Sequence, residues 1–413
     1  MRLARPLCAA AVVFAAAAAG CGAAAGERGY AVPGRSLTVY SGAPLRGVDR
    51  PGAEDLVAAE RLALAQARGR AGRWRVRLRV LDDSGLGAVR WNPAIVSQNA
   101  RRAAGDPRTI AYLGGSSSGA TAVALPLLNQ AGILQVSPGA GAVALTRADS
   151  AFPGSPEKYY PNERSGRTFG RVVPSDSVEG AAIASWMARA GVRSAYLVDG
   201  GETDGTSVVS AVSARLRAHG IALAGSQSVA PGRADWGDVA RAAASSRADA
   251  LLFAGSAQAG AASMFAAARA VDSRLALFGS SQLAQPAVAA RLGPGAEGAR
   301  IASPALPAAA LPASDRRFRA AFRRAYGREP QAGAAFGYEA MRVVLDAIRR
   351  AGEDGNRRRA VVRAFFATDR PRSVLGSYSI DRAGDSTLTA YAGYVVRRGR
   401  LVPVRLGAAT EGA

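Results

Sequence analysis

Residues 109–146 read TIAYLGGSSSGATAVALPLLNQAGILQVSPGAGAVALT, and their pattern sets the architecture expected of the whole chain. Thr109–Leu113 is a short run rich in strand formers, and over 119–130 the residues Ala120, Val123, Ala124, Leu127 and Leu128 fall on one face at helical spacing. Residues 133–136 return to a strand pattern. Strand, helix and strand in this order make a βαβ unit of a parallel sheet, whose ligands collect in the crevice at the carboxyl ends of the strands. Two polar turns lie at that end. In the first, Gly114 and Gly115 permit a tight turn, and Ser116, Ser117 and Ser118 stand near the free N–H groups of the following helix, a setting suited to a carboxylate or another acceptor-rich group. Serines before a helix also serve as caps, so the hydroxyls admit both uses. The second turn, Ser137-Pro138-Gly139-Ala140-Gly141, adds weight to a ligand site.

The first turn also contains Gly115-Ser116-Ser117-Ser118-Gly119, a match to the G-x-S-x-G nucleophile elbow. An acyl-transfer enzyme needs a general base. His219 is the only histidine and falls at the end of a helix expected over 206–218, not in a loop after a late strand, so hydrolysis is the weaker expectation and the chain reads as a non-enzyme. Cys8 and Cys21 are the only cysteines and both precede the expected folded part, so neither a disulfide nor a metal site is expected. No GxxxxGK[ST] or GxGxxG stretch stands where a nucleotide would need it, and no cofactor is expected.

A net charge of +22 invites a nucleic-acid partner. Composition argues against one: Lys158 is the only lysine, arginine is spread over every segment, and no basic-aromatic stripe appears. At the N-terminus, Arg2 and Arg5 precede an apolar run that ends in Ala18-Ala19-Gly20-Cys21, which looks like a secretory signal closing in a bacterial lipobox. The reading is a signal peptide over 1–20, a linker over 21–35 and a lipid on Cys21, which tethers an extracytoplasmic protein to the membrane. The apolar run is short of the roughly 20 residues of a comfortable membrane span.

The nearly 400 residues that follow the expected signal peptide exceed one comfortable core. Strand and helix patterns alternate over 37–136 and again over 168–278, which gives an α/β chain of two doubly wound parallel-sheet lobes. Crossings are expected near 171–174, near 302–304 and before the strands at 391–397 and 400–405. The lobes are then 36–170 with 303–388, and 171–302 with 389–406, joined by a three-strand hinge. Hinged lobes close on ligand.

The two turns, taken with Leu37-Thr38-Val39-Tyr40-Ser41-Gly42-Ala43-Pro44, Asp82-Asp83, Asn92-Pro93, the stretch FRRAYGREP at 322–330, Tyr338-Glu339-Ala340 and Gly376-Ser377-Tyr378-Ser379-Ile380-Asp381, follow one another in family order. The chain resembles the type I periplasmic binding proteins, in the branch that includes the leucine, isoleucine and valine receptors of ABC importers. The resemblance implies capture of a small polar ligand, an amino acid of the branched-chain type or a related amide or carboxylate, and delivery to ABC permease subunits by a monomer. It also implies that a serine-turn hydroxyl, here Ser118 with Ser117 close behind, and the second turn, Ser137 through Gly139 to Gly141, hold an α-carboxylate. A second-turn hydroxyl of amino-acid-binding relatives is replaced by Gly141. The aromatic and acidic positions of the second lobe fall on Asp204 or Thr203, on Ser256 within Gly255-Ser256-Ala257 and on Ser281 within Ser280-Ser281-Gln282, and only Asp204, or Glu202 beside it, could pair with an ammonium. Asp204 serves equally well as a helix cap. A ligand sensor without transport would share all of these features.

Overall fold

The computed structural model describes residues 30–85, 90–230 and 235–404. The signal peptide, Cys21 and the last residues of the expected second lobe lie outside them. The unit at 109–146 is strand Thr109–Leu113, helix Ser118–Gln130 and strand Leu134–Ser137, in parallel pairing. It sits inside a six-stranded sheet ordered Arg70–Ala71, Trp74–Asp82, Ser36–Ala43, Thr109–Leu113, Leu134–Ser137, Phe169–Arg171. Every neighbouring pair is parallel except the short edge strand at Arg70. All five residues of Thr109–Leu113 are buried, as a strand covered by helices on both faces requires.

A second sheet runs in the order Arg400–Val404, Ala392–Arg397, Arg300–Ser303, Ala276–Gly279, Ala250–Ala254, Ser194–Asp199, Ala222–Ser228. Its last two strands in sequence are antiparallel and the others parallel. The architecture is thus α/β, with two doubly wound sheets, each with its own core.

The chain reaches these cores in alternation. Val172 and Val173 still pack in the core of the first sheet, so that core runs slightly past the expected change at 171. Ile183 to Phe278 and Ala302 then pack in the second. Helices Ala313–Tyr326, Ala334–Arg350 and Arg358–Phe366 return to the first core, where Phe318, Phe336, Met341, Ile348 and Phe365 join Val39, Ile110 and Leu134. Each such side chain, fully buried, contributes about 1.5–3 kcal/mol of transfer free energy. Strand Ala392–Arg397 then pairs with Arg300–Ser303 in the second sheet. Three passages therefore connect the two cores. No helix among the described residues is long and apolar enough to cross a membrane.

Candidate ligand-binding site

The carboxyl ends of the strands in both sheets face a cleft of about 240 Å³, lined from one side by Asp49, Trp91, Ser116, Ser117, Gly139 and Gly141 and from the other by Asp176, Glu179, Asp204, Ser256, Ser281 and Tyr391. Ser117 is the N-cap of helix Ser118–Gln130, and its Oγ accepts the Ala120 N–H at 3.3 Å. It therefore does both things that were expected of the serine turn: it caps the helix and lines the cleft.

Ser118 and Ser137 are placed differently from the expectation. Both are fully buried and neither lines the cleft. The Ser118 Oγ accepts the Ala142 N–H at 3.0 Å. The Ser137 hydroxyl donates to the Gly115 carbonyl at 2.7 Å and accepts the N–H groups of Gly139 at 3.1 Å and Ala140 at 2.8 Å. The physical reason is that the two turns pack directly on each other, and buried backbone donors need partners. These hydroxyls supply them, so Ser118 and Ser137 brace the wall of the cleft and do not face its contents. The fully buried Arg171 completes the brace, with its guanidinium donating to the carbonyls of Ala140 at 2.9 Å and Ala142 at 3.0 Å while pairing with Asp385 at 2.9 Å. Against burial, Arg171 and Arg147 hold the Asp385 carboxyl below its ordinary range.

Gly139 and Gly141 both line the cleft, and each is a glycine because something occupies the place of a side chain. A Cβ on Gly139 would stand 2.4 Å from the Ser116 carbonyl oxygen, and one on Gly141 would stand 1.9 Å from Asp176 Oδ1.

On the other side, Asp204 lies in the first turn of helix Thr203–Leu216, and it caps a different helix: its Oδ1 accepts the Ser118 N–H at 2.9 Å across the cleft. Glu202 is fully engaged, accepting the Ser256 N–H at 2.8 Å, the Ser256 hydroxyl at 2.9 Å and Arg90 at 2.6 Å. Arg90 also reaches Asp49 at 3.1 Å. Against burial, the carboxylates of Glu202, Asp49 and Asp204 keep its guanidinium firmly charged. Ser256 and Ser281 line the cleft, but both hydroxyls are committed to carboxylates, since Ser281 donates to Glu179 through its N–H at 2.7 Å and its Oγ at 2.6 Å. The halves also meet where Val143 N–H donates to Ser207 Oγ at 3.2 Å and Ser210 Oγ donates to Asp149 at 3.0 Å.

Asp176 and Glu179 are the site residues that sequence reasoning missed. They stand three apart at the start of helix Asp176–Arg189, capped by Ser175, and so share a face of the first helix after the passage between the cores. The signal was there in Ser175-Asp176-Ser177-Val178-Glu179, just past the expected first crossing. Glu179 is buried and satisfied by Ser281 and by the Tyr391 hydroxyl at 3.1 Å. Asp176 is 6% exposed and its Oδ2 has no hydrogen-bond partner among the described residues. Burial, and then the nearby charges of Glu179 and Asp204, push the Asp176 carboxyl well above its usual range, and burial raises Glu179 against the pull of its three donors. His219 is exposed at a helix end outside the cleft, so no histidine stands beside Ser117. No cluster of metal-ligating side chains occurs among the described residues.

A family model described as periplasmic binding protein matches residues 43–400. The chain belongs to the periplasmic binding protein family. No curated protein sequence matches it. Among solved structures, the fold is similar to the leucine-binding protein LivK of Thermotoga maritima, at 20% identity and a TM-score of 0.75, over 89% of this chain and 98% of that one. It is similar to a solute-binding protein of an R. palustris ABC transporter in complex with benzoate, at 20% identity and a TM-score of 0.72, over 91% and 96% of the two chains. It is also similar to the branched-chain amino acid transporter substrate-binding protein LivJ of Streptococcus pneumoniae in complex with isoleucine, at 16% identity and a TM-score of 0.69, over 89% and 100%. In this periplasmic binding protein the cleft is where two sheets with separate cores face each other, and every wall residue described above comes from a strand end, a turn or the first residues of a helix.

Proposed function

We propose that this protein is the extracytoplasmic solute-binding component of an ABC importer, a monomer with lobes over 36–170 with 303–388 and 171–302 with 389–406, tethered to the membrane through a lipid on Cys21. The observation that carries the reading is the cleft itself, lined by both halves, about 240 Å³ in volume and supplied with convergent polar groups. That size is below the roughly 300–1,000 Å³ of drug-sized pockets and suits a small solute. Capture follows from the hinge: ligand meets the turn at Ser116 and Ser117 with Gly139 and Gly141, and the half that carries Asp176, Asp204 and Tyr391 closes over it. Differential affinity for the closed form drives the shift, and the closed form is what a permease reads. The leucine, isoleucine and benzoate named for the structural relatives support a small organic ligand. An elbow serine without a base argues for binding in preference to hydrolysis.

Thermal unfolding against a panel of amino acids, amides, amines, polyols and carboxylates tests the reading. A ligand at 100 times its Kd adds about 2.7 kcal/mol, so at least one class should raise Tm in a concentration-dependent way. A panel without any shift, accompanied by ester hydrolysis that Ser117→Ala abolishes, would reverse the assignment.

A further inference from the structure

Several of the donors that would receive an anion in this cleft are already used inside the protein. The N–H of Ser118 goes to Asp204 and that of Ala120 to Ser117 Oγ. In the second turn, the N–H groups of Gly139 and Ala140 go to Ser137 Oγ, that of Ala142 to Ser118 Oγ and that of Val143 to Ser207 Oγ. The acceptors show the opposite balance. Among the described lining residues Asp49, Asp176, Glu179 and Asp204 are acidic and only Arg90 is basic, and its guanidinium is committed to Asp49 and Glu202. This is an acidic wall inside a chain of net charge +22.

Two side chains present buried atoms without a hydrogen bond. Asp176 Oδ2 is buried and unpaired, and both amide atoms of Gln282, which lines the cleft close to Ser281, are buried without a hydrogen bond. Buried polar atoms are hydrogen-bonded in folded proteins as a rule, so exceptions in a cleft call for a partner such as a water, an ion or a ligand. A carboxylate ligand would find several of the turn donors taken and would stand among like charges. A cation would bring what the wall lacks, several N–H donors and a positive charge against Asp176 and Asp204.

Resting on the capture reading above, we propose that the cleft selects a small organic cation, an amine or amidinium without a carboxylate, whose nitrogen is held by Asp176 with Asp204 and oriented by Gln282. Trp91, Phe336 and Tyr391, which also line the cleft, take the apolar part.

Calorimetric titration of the purified protein with four probes of one shape decides the point: 3-methylbutylamine, 4-methylpentanoate, 4-methylpentanamide and leucine, with agmatine and 1,4-diaminobutane as further cations. At least one cation should bind, and 4-methylpentanoate should bind at least tenfold more weakly than the amine. Asp176→Asn should weaken the cation by roughly tenfold to a hundredfold, the range for a hydrogen bond to a charged group. The selectivity of the natural protein stands by itself should the variant not fold. Tighter binding of 4-methylpentanoate or of leucine than of every cation overturns the proposal and leaves solute capture intact. Equal cation affinity in a folded Asp176→Asn also overturns it. Failure of every probe overturns the cation proposal, and the broader thermal-unfolding panel then decides the capture reading separately.

Discussion

Glu60 is a fully buried carboxyl with no well-formed hydrogen bond, and its titration makes the stability of the fold depend on pH. It sits in helix Arg50–Gln66, against the first sheet beside Ser41, with neither Oε bonded to any described group. Burial pushes its pKa from 4.5 to about 8, against the smaller pull of Ser41 and Arg61. The folded state therefore binds this proton more tightly than the unfolded chain. Between pH 4.5 and about 8 the unfolded state carries fewer protons, so stability falls as pH rises and levels off above the folded pKa. At roughly 1.4 kcal/mol per pKa unit, the loss across the window is on the order of 5 kcal/mol. Glu60→Gln keeps the shape and removes the titration. Urea unfolding of both proteins at pH 5, 6.5 and 8 should give a variant whose advantage grows with pH, by a few kcal/mol at the top of the range. A buried glutamine amide adds its own offset, which is the same at every pH, so the slope carries the test. Asp83, raised by burial to about 6, is present in both proteins and cancels. A difference between the two proteins that is constant from pH 5 to pH 8 would refute the argument.

Gly141→Ala places a methyl against Asp176 Oδ1, where only 1.9 Å is available, and should abolish ligand binding while lowering Tm, as read by calorimetry on one sample. Arg90→Ala removes the ion pair that joins Asp49 to Glu202 across the cleft and should cost the closed form about 1.5–3 kcal/mol, seen as a larger radius of gyration in small-angle scattering; an unchanged radius would count against the contact as a latch. Cys21→Ser should move the protein from the membrane fraction to the soluble one without changing ligand affinity in the purified protein.

The βαβ unit at 109–146 was legible because its signals are local: a strand run, a helical apolar face and glycines where turns must fall. Helix Ser118–Gln130 and strand Leu134–Ser137 differ from the expected spans only at their ends. The direction of the hydroxyls was not legible. Ser118 and Ser137 face away from the cleft because the second turn packs on the first, a tertiary contact that turn chemistry alone does not reveal. Asp204 was reached through the resemblance, which placed it or Thr203 at a family position after a strand, and it lines the cleft. Asp176 was not reached, because its importance depends on the close approach of helix Asp176–Arg189 to Gly141. The absence of a hydroxyl at position 141 and the presence of an acid at position 176 are two sides of one contact, and the sequence shows them 35 positions apart.

The inversion of charge between the exterior and the cleft also bears on kinetics. A solute approaching a chain of net charge +22 first meets a repulsive field if it is a cation and an attractive one if it is an anion. Inside the cleft the described lining is acidic, with Asp49, Asp176, Glu179 and Asp204 against Arg90 alone. The outer field is screened within about 8 Å at physiological ionic strength, whereas buried carboxylates such as Asp176 are shielded from salt. Added salt should therefore quicken the arrival of cations, slow the arrival of anions and leave the residence time of a bound cation nearly constant, so that the outside of the molecule governs traffic and the inside governs choice.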